Sequence, residues 1–197
     1  MLQLPYPLIL ASTSPRRKHL LEQIGLQFSV QPSDVDESLI TTDGAEPVEF
    51  VTRLALLKAQ DVASRIHNQS IVIGADTIVV LNGQILGKPL DAHDAIRMLQ
   101  SLSGNTHTVY TGIALIDSLT YRKVTAVQQT KVTFRLLNDS EIKDYVATGS
   151  PLDKAGSYGI QDDFGAVFVS HIEGCYYTIV GLPLELFYRT LQSFIQM

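Results

Sequence analysis

The sequence predicts an α/β protein built on a mixed sheet, and three observations lead there. Short buried runs such as Leu8-Ile9-Leu10-Ala11 alternate with helical spacing early in the chain. The β-branched runs Ile71-Val72-Ile73 and Ile78-Val79-Val80-Leu81 read as buried strands. A strand-rich stretch from His107 to Phe134 then breaks the alternation, which a purely parallel sheet would not do.

In chain order, the first run leads to Ser14, an N-cap, with Pro15 at the first helical position and Gly25 just past the helix end. Leu20, Leu21 and Ile24 give that helix its apolar face. Phe28 and Val30 begin a second strand, followed by an acidic loop through Asp34, Asp36 and Glu37. From Pro47 to about Ile66, Val51, Leu54, Ala55, Val62 and Ile66 share one helical face. The two β-branched runs are expected to be separate strands, the second ending in a turn at Asn82-Gly83. Asp91 caps a helix carrying Ala95, Ile96, Met98 and Leu99. His107 to Ile116 and Val124 to Phe134 form a hairpin. Asp139 to Ala147 is helical, and a last amphipathic helix runs from Pro183 to about Phe194.

Composition excludes several classes. The 197 residues are 45% hydrophobic, enough for a real core in one ample domain or two apposed lobes. The formal net charge is −5. A duplex nucleic-acid binder needs basic excess to neutralise phosphates, so a long polyanion is a poor partner. No apolar run reaches the roughly 18–20 residues of a membrane span. The apolar stretch Met1 to Leu10 lacks a basic flank, so no signal peptide is expected. The single Cys175 fits a reducing compartment, the cytoplasm, and is expected to be a buried thiol.

A few residues are chemically out of place. Arg16 and Arg17 follow Ser12-Thr13-Ser14-Pro15 into the first turn of a helix. There the dipole disfavours cations by about 0.3–1 kcal/mol each. A bound anion reverses that sign, and two solvated surface arginines are the alternative. Lys58 sits in the apolar stripe of its helix and must either snorkel out or meet a negative partner. Asp76, between two buried runs, needs a cation, a metal or strong donors, and is expected where a strand ends or kinks. Asp36 and Glu37 could add oxygen ligands for a divalent cation. The segment 83–89 looks like a phosphate loop, but its glycines are one residue too close and Pro89 stands where a Ser or Thr belongs. Lys88 remains a candidate phosphate contact. The segment from Asp153 to Gln161 reads as a tight glycine-containing loop. The five histidines, His107 among them, show no metal-ligand spacing.

Together these segments resemble the Maf family of nucleotide pyrophosphatases. The likeness runs through residues 10–17, Arg53-Leu54-Ala55 with Lys58-Ala59, Gly74-Ala75-Asp76-Thr77 and Gly87-Lys88-Pro89. It continues through His107-Thr108-Val109-Tyr110-Thr111-Gly112, Asp153-Lys154-Ala155-Gly156, Tyr158-Gly159-Ile160-Gln161 and Val180-Gly181-Leu182-Pro183-Leu184. The resemblance implies one Maf/ITPase-like domain over 1–197, with two lobes around a long mixed sheet, flanking helices, and the nucleotide between the lobes. It implies cleavage between the α and β phosphates with Mg²⁺ or Mn²⁺, and often a homodimer. It makes Asp76 the proton acceptor for water, Ser12, Arg16, Arg17, Lys58 and Lys88 the holders of the triphosphate, and Glu37 a helper for metal or water. Arg16, Thr77 and Gln161 match the branch acting on dTTP and UTP rather than the one acting on 7-methyl-GTP. The acids Asp162-Asp163 before Phe164 depart from the small residues usual there. A carboxylate near a metal and lysines is expected to have a lowered pKa, which favours Asp76 as a metal ligand over a base. The alternatives are a non-catalytic nucleotide-binding regulator of cell division and septum formation, and an enzyme acting on modified nucleotides.

Overall fold

The structure, a computed structural model, describes residues 2–37, 40, 44, 46–161 and 164–196. The elements are β1 (Leu8–Leu10), α1 (Pro15–Gln23), β2 (Phe28–Val30), α2 (Pro47–Ser64), β3 (Ile71–Leu81) and β4 (Gln84–Leu86). They continue with α3 (Ala92–Leu102), β5 (Thr106–Asp117), β6 (Lys123–Phe134), α4 (Asp139–Ala147), β7 (Val169–Glu173), α5 (Tyr176–Val180) and α6 (Leu184–Gln196). Strand order is β2-β1-β3-β5-β6-β7, with β4 paired to β3. β1 pairs with β2 and β3 in parallel, while β3/β4 and β6/β7 are antiparallel, so the sheet is mixed as expected. Among the described residues no helix is long and apolar enough to cross a membrane.

The chain divides into two compact units. Met1–Asp76, Thr111–Gln128 and Gly181–Met197 form the first, and Thr77–Tyr110 with Gln129–Val180 the second. β3, β5 and β6 give residues to both.

In the first unit, Ser14 caps α1 as expected, its hydroxyl accepting from Arg17 N, and Gly25 follows the helix with φ 72°. α2 lies on the sheet through small residues, and its core joins Ala55, Ala59, Val62 and Ala63 with Ile9, Val72, Ala114 and Ile116. Two glycines make that approach close. A Cβ at Gly74 would collide with the Ala55 carbonyl oxygen and stand 2.9 Å from Ala59 Cβ; one at Gly112 would stand 2.7 Å from Val51 O. The expected break at Asp76 is absent: residues 71–81 form one strand through Gly74-Ala75-Asp76-Thr77. Sheet pairing overrides the weak strand propensity of that tetrapeptide.

In the second unit, Asn82 and Gly83 both take positive φ (51° and 78°), the turn that joins β3 to β4. Asp91 caps α3 through a bond from Asp94 N, and Asn138 with Glu141 forms a capping box on α4. The core gathers Val79, Leu99, Val109, Phe134, Ile142, Tyr145, Tyr158 and Phe168. β7, α5 and three short 3₁₀ turns had no strong sequence signal. Cys175 is half-buried, against expectation, because it sits in the turn before α5, where its N–H donates to Thr130 Oγ1 at 3.0 Å.

His107 is buried in this core, edge-on to Phe134 and Tyr158 with ring centroids at 5.1 and 5.3 Å. Burial lowers its pKa to about 4. A histidine lowered in the fold contributes full stability above its unfolded value near 6.5 and loses it as pH falls through 4. Acidification from pH 7 to 4 should therefore cost about 3 kcal/mol from this group alone. Urea unfolding of the wild type and a His107→Phe variant at both pH values checks this: the difference between them should shrink or invert on acidification.

Candidate active site

The site grows from the carboxyl ends of β1 and β2 and from the middle of β3, which runs on past Asp76. In register, Leu10 of β1 stands beside Val30 of β2 and Ile73 of β3. Ala11 N donates to Ile73 O at 2.8 Å and Gln31 N to Leu10 O at 3.1 Å, so β1 leaves the sheet just before Ser12. The register therefore brings three segments to one edge: Ser12 with the start of α1, the acidic loop with Glu37, and Asp76. In open α/β sheets this edge is where ligands bind.

Lys58 supplies the link. The close seat of α2 on Gly74 brings its ammonium onto Asp76, with Nζ donating to Oδ1 at 2.6 Å. The same Nζ lies 2.8 Å from Glu37 Oε1. Lys58 and Asp76 are 8% and 5% exposed, so this is a buried pair; Lys58 does not snorkel. Of the two fates open to it, it met negative partners, Glu37 and the buried Asp76.

On the other side, Arg17 Nη1 donates to Ser12 Oγ at 3.2 Å and Arg17 Nε to Gly181 O at 2.9 Å. Ser12 Oγ also accepts from Ser14 N at 3.2 Å. The guanidinium is thus held in place at the start of α1, where the first turn carries no acid. Burial pulls its pKa down, with Asp76 and Glu37 opposing and Arg16 adding to the fall. It stays charged in any case.

The lowered pKa expected of Asp76 assumed a metal beside it; without one the balance is different. Burial pushes its pKa up, Lys58 and Arg17 pull it back, and Glu37 adds to the rise; the net is upward. A raised carboxylate is a better base than the lowered one expected from its cationic neighbours.

The loop to Glu37 has its own anchor, which sequence reading missed. Asp34 N donates to Asp61 Oδ2 at 2.8 Å, and Arg65 bonds Pro32 O at 2.9 Å and Asp34 Oδ2 at 3.1 Å. Asp61 and Arg65 lie four residues apart on one face of the C-terminal end of α2, which was the available signal.

Ser12, Arg17, Glu37, Lys58 and Asp76 thus come together, with half-buried Arg16 beside Arg17 on α1. Thr77, Lys88 and Gln161 belong to the second unit. Thr77 is half-buried in β3, and Lys88 is exposed after β4. Gln161 Oε1 is buried with no hydrogen-bond partner among the described residues. Asp162 and Asp163 lie outside the described residues. No group of three or more His, Cys, Asp or Glu suited to a metal occurs among the described residues.

A buried carboxylate, a buried ammonium and a fixed guanidinium thus meet beside the ends of β1 and β2 in an α/β protein. The chain belongs to the Maf family: the family model described as Maf-like protein matches residues 7–194. It is 49% identical over 193 residues to the dTTP/UTP pyrophosphatase of Acetivibrio thermocellus, covering 95% of this chain and 94% of that one. The dTTP/UTP pyrophosphatase of Bacillus cytotoxicus is 53% identical over 188 residues, with 94% of each chain covered. That of Salinibacter ruber is 48% identical over 193 residues, covering 98% of this chain and 93% of its own. Among solved structures, a dITP/XTP pyrophosphatase from Mycobacterium abscessus matches with TM-score 0.42 and 15% identity, covering 65% of this chain and 74% of that one.

Proposed function

We propose that this chain hydrolyses dTTP and UTP to the monophosphate and pyrophosphate, acting as one functional domain over 1–197. The observation that carries this is the buried Lys58 ammonium held by Asp76 and Glu37 beside the fixed Arg17. A triphosphate needs such charge at the point where pyrophosphate departs. The relatives' names supply the substrate.

Ser12, Arg16, Arg17, Lys58 and Lys88 hold the phosphates. Asp76, buried beside Lys58, takes the proton from the attacking water. Glu37 and Asp76 offer the hard oxygen ligands that Mg²⁺ or Mn²⁺ takes, and the position on which their oxygens converge is filled here by Lys58 Nζ, which would have to give way to the ion. Glu37 and Asp76 would hold it, and bound there it would neutralise charge on the phosphates. The substrate is a small nucleotide, with no nucleic acid or membrane involved; a homodimer and a cytoplasmic place are part of this proposal.

Arg16, Thr77 and Gln161 set the base. The unpartnered Gln161 Oε1 is an acceptor that suits the N3–H of uracil or thymine, where cytosine offers no hydrogen. The regulator reading is disfavoured, since a sensor of triphosphate gains nothing from a buried carboxylate near the phosphates. Pyrophosphate release from dTTP, UTP, CTP, GTP and 7-methyl-GTP, with and without Mg²⁺ or Mn²⁺, tests the proposal. Fast metal-dependent release from dTTP and UTP is expected. Silence across the panel in folded protein that still binds nucleotide would favour the regulator.

A further inference from the structure

The loop that carries Gln161 is anchored at four successive residues, all within the second unit. Gly156 N donates to Gly87 O at 3.0 Å. Ser157 Oγ lies 3.2 Å from Met98 Sδ. Tyr158 hydroxyl meets His107 Nε2 at 2.7 Å, and Gly159 N donates to the Tyr145 hydroxyl at 3.2 Å. The backbone is strained at Ser157, fully buried at φ 61°, next to Gly156, which takes φ 68° freely. For a residue with a Cβ that conformation costs about 1–2 kcal/mol. A Cβ at Gly156 would also stand 2.9 Å from Val79 Cγ2. Strain of this kind persists where the surroundings over-determine a ligand-facing segment.

The His107–Tyr158 pair is a poor device for stability alone. His107 Nδ1 is buried with no partner among the described residues. An apolar pair of the same shape would avoid that cost and be nearly neutral in stability. The polar pair adds direction, since a hydrogen bond fixes where the Tyr158 ring and its backbone sit. Tyr145 does the same one residue on, edge-on to Phe168 with centroids at 5.3 Å. Direction matters to Gln161 for a chemical reason. A half-turn of its amide exchanges acceptor and donor, and cytosine presents the pattern opposite to uracil. An amide on a loose loop could serve both bases, whereas one on a fixed loop can reject cytosine.

We infer that His107, Tyr145 and Tyr158 are positioning residues that hold the 156–161 loop so that Gln161 selects uracil and thymine over cytosine. This rests on the base-reading role of Gln161 proposed above.

The test uses the full-length enzyme and three variants, Tyr158→Phe, Tyr145→Phe and Gln161→Ala. Each tyrosine variant removes one oxygen and keeps the ring in the core. Steady-state kinetics with UTP and CTP give the preference as a ratio of kcat/KM, and thermal unfolding gives stability. Tyr158→Phe and Tyr145→Phe should each lower the UTP preference about tenfold, within what a lost hydrogen-bonded reader can cost. The change should fall on KM for UTP rather than on kcat, and the double variant should lose more than either. Loss of preference in Gln161→Ala with full preference in both tyrosine variants overturns the inference alone, whatever their melting temperatures. Undiminished preference in Gln161→Ala overturns the reading of Gln161 and the inference with it.

Discussion

Asp76→Asn is expected to lower turnover by about 10²–10⁴-fold, the range that a positioned base contributes, while nucleotide binding stays largely intact. The substitution is close to isosteric, and the amide oxygen can still accept from Lys58 Nζ, which now bonds Oδ1 at 2.6 Å. It removes a charge whose pKa burial raises, and it relieves the repulsion from Glu37. Lys58 keeps Glu37 at 2.8 Å but loses its buried counter-charge, so some stability should be lost, and the unfolding curve separates that loss from the loss of turnover. Initial rates of pyrophosphate release, calorimetric nucleotide binding and an unfolding curve check the three parts together. Near-normal turnover would remove Asp76 from the mechanism.

Lys58→Met carries the largest expected loss of stability. Removing one partner of a buried ion pair leaves the other uncompensated, at a cost of about 3–5 kcal/mol. Here the abandoned group is Asp76, 5% exposed, with Arg17 among the described residues still favouring its charge. The loss should depend on pH in a defined sense. Without Lys58 the folded pKa of Asp76 rises further, so stability falls as pH climbs above the unfolded value of about 3.9. Adding Asp76→Asn to Lys58→Met should restore most of the loss, a coupling that a double-mutant cycle measures. Urea unfolding in chelated, nucleotide-free buffer at pH 5 and pH 8 provides it. Equal losses at both pH values, with no restoration in the double variant, would mean the pair is not coupled in solution.

Local rules made much of the fold legible. Ser14, Pro15 and Gly25 bracketed α1, Asp91 started α3, and Asn82-Gly83 marked a hairpin, because each meets a requirement within a few residues. β3 was misread as two strands because Gly74-Ala75-Asp76-Thr77 has weak strand propensity, while its pairing partners are remote in sequence. The glycines themselves had a cause invisible to local rules: α2 needs the space at Gly74 and Gly112. Lys58 and Asp76 each stood out as needing a counter-charge, but spacing alone could not match them to each other across 18 residues. The upward pull of burial on the Asp76 pKa in the metal-free protein was hidden for a related reason. Neighbouring cations can be guessed from a motif, whereas depth of burial is a property of the assembled fold. His107 drew no metal reading from its spacing, and its partner Tyr158 lies 51 residues away.

The central claim is a reaction, so product identity tests it most directly. UTP and dTTP incubated with the enzyme and Mg²⁺ in ¹⁸O-water should yield the monophosphate and pyrophosphate, with no orthophosphate at early times. The label should appear in one product after a single turnover, as attack by one water at one phosphorus requires. A diphosphate with orthophosphate would place the cut at the wrong bond and contradict the proposed function.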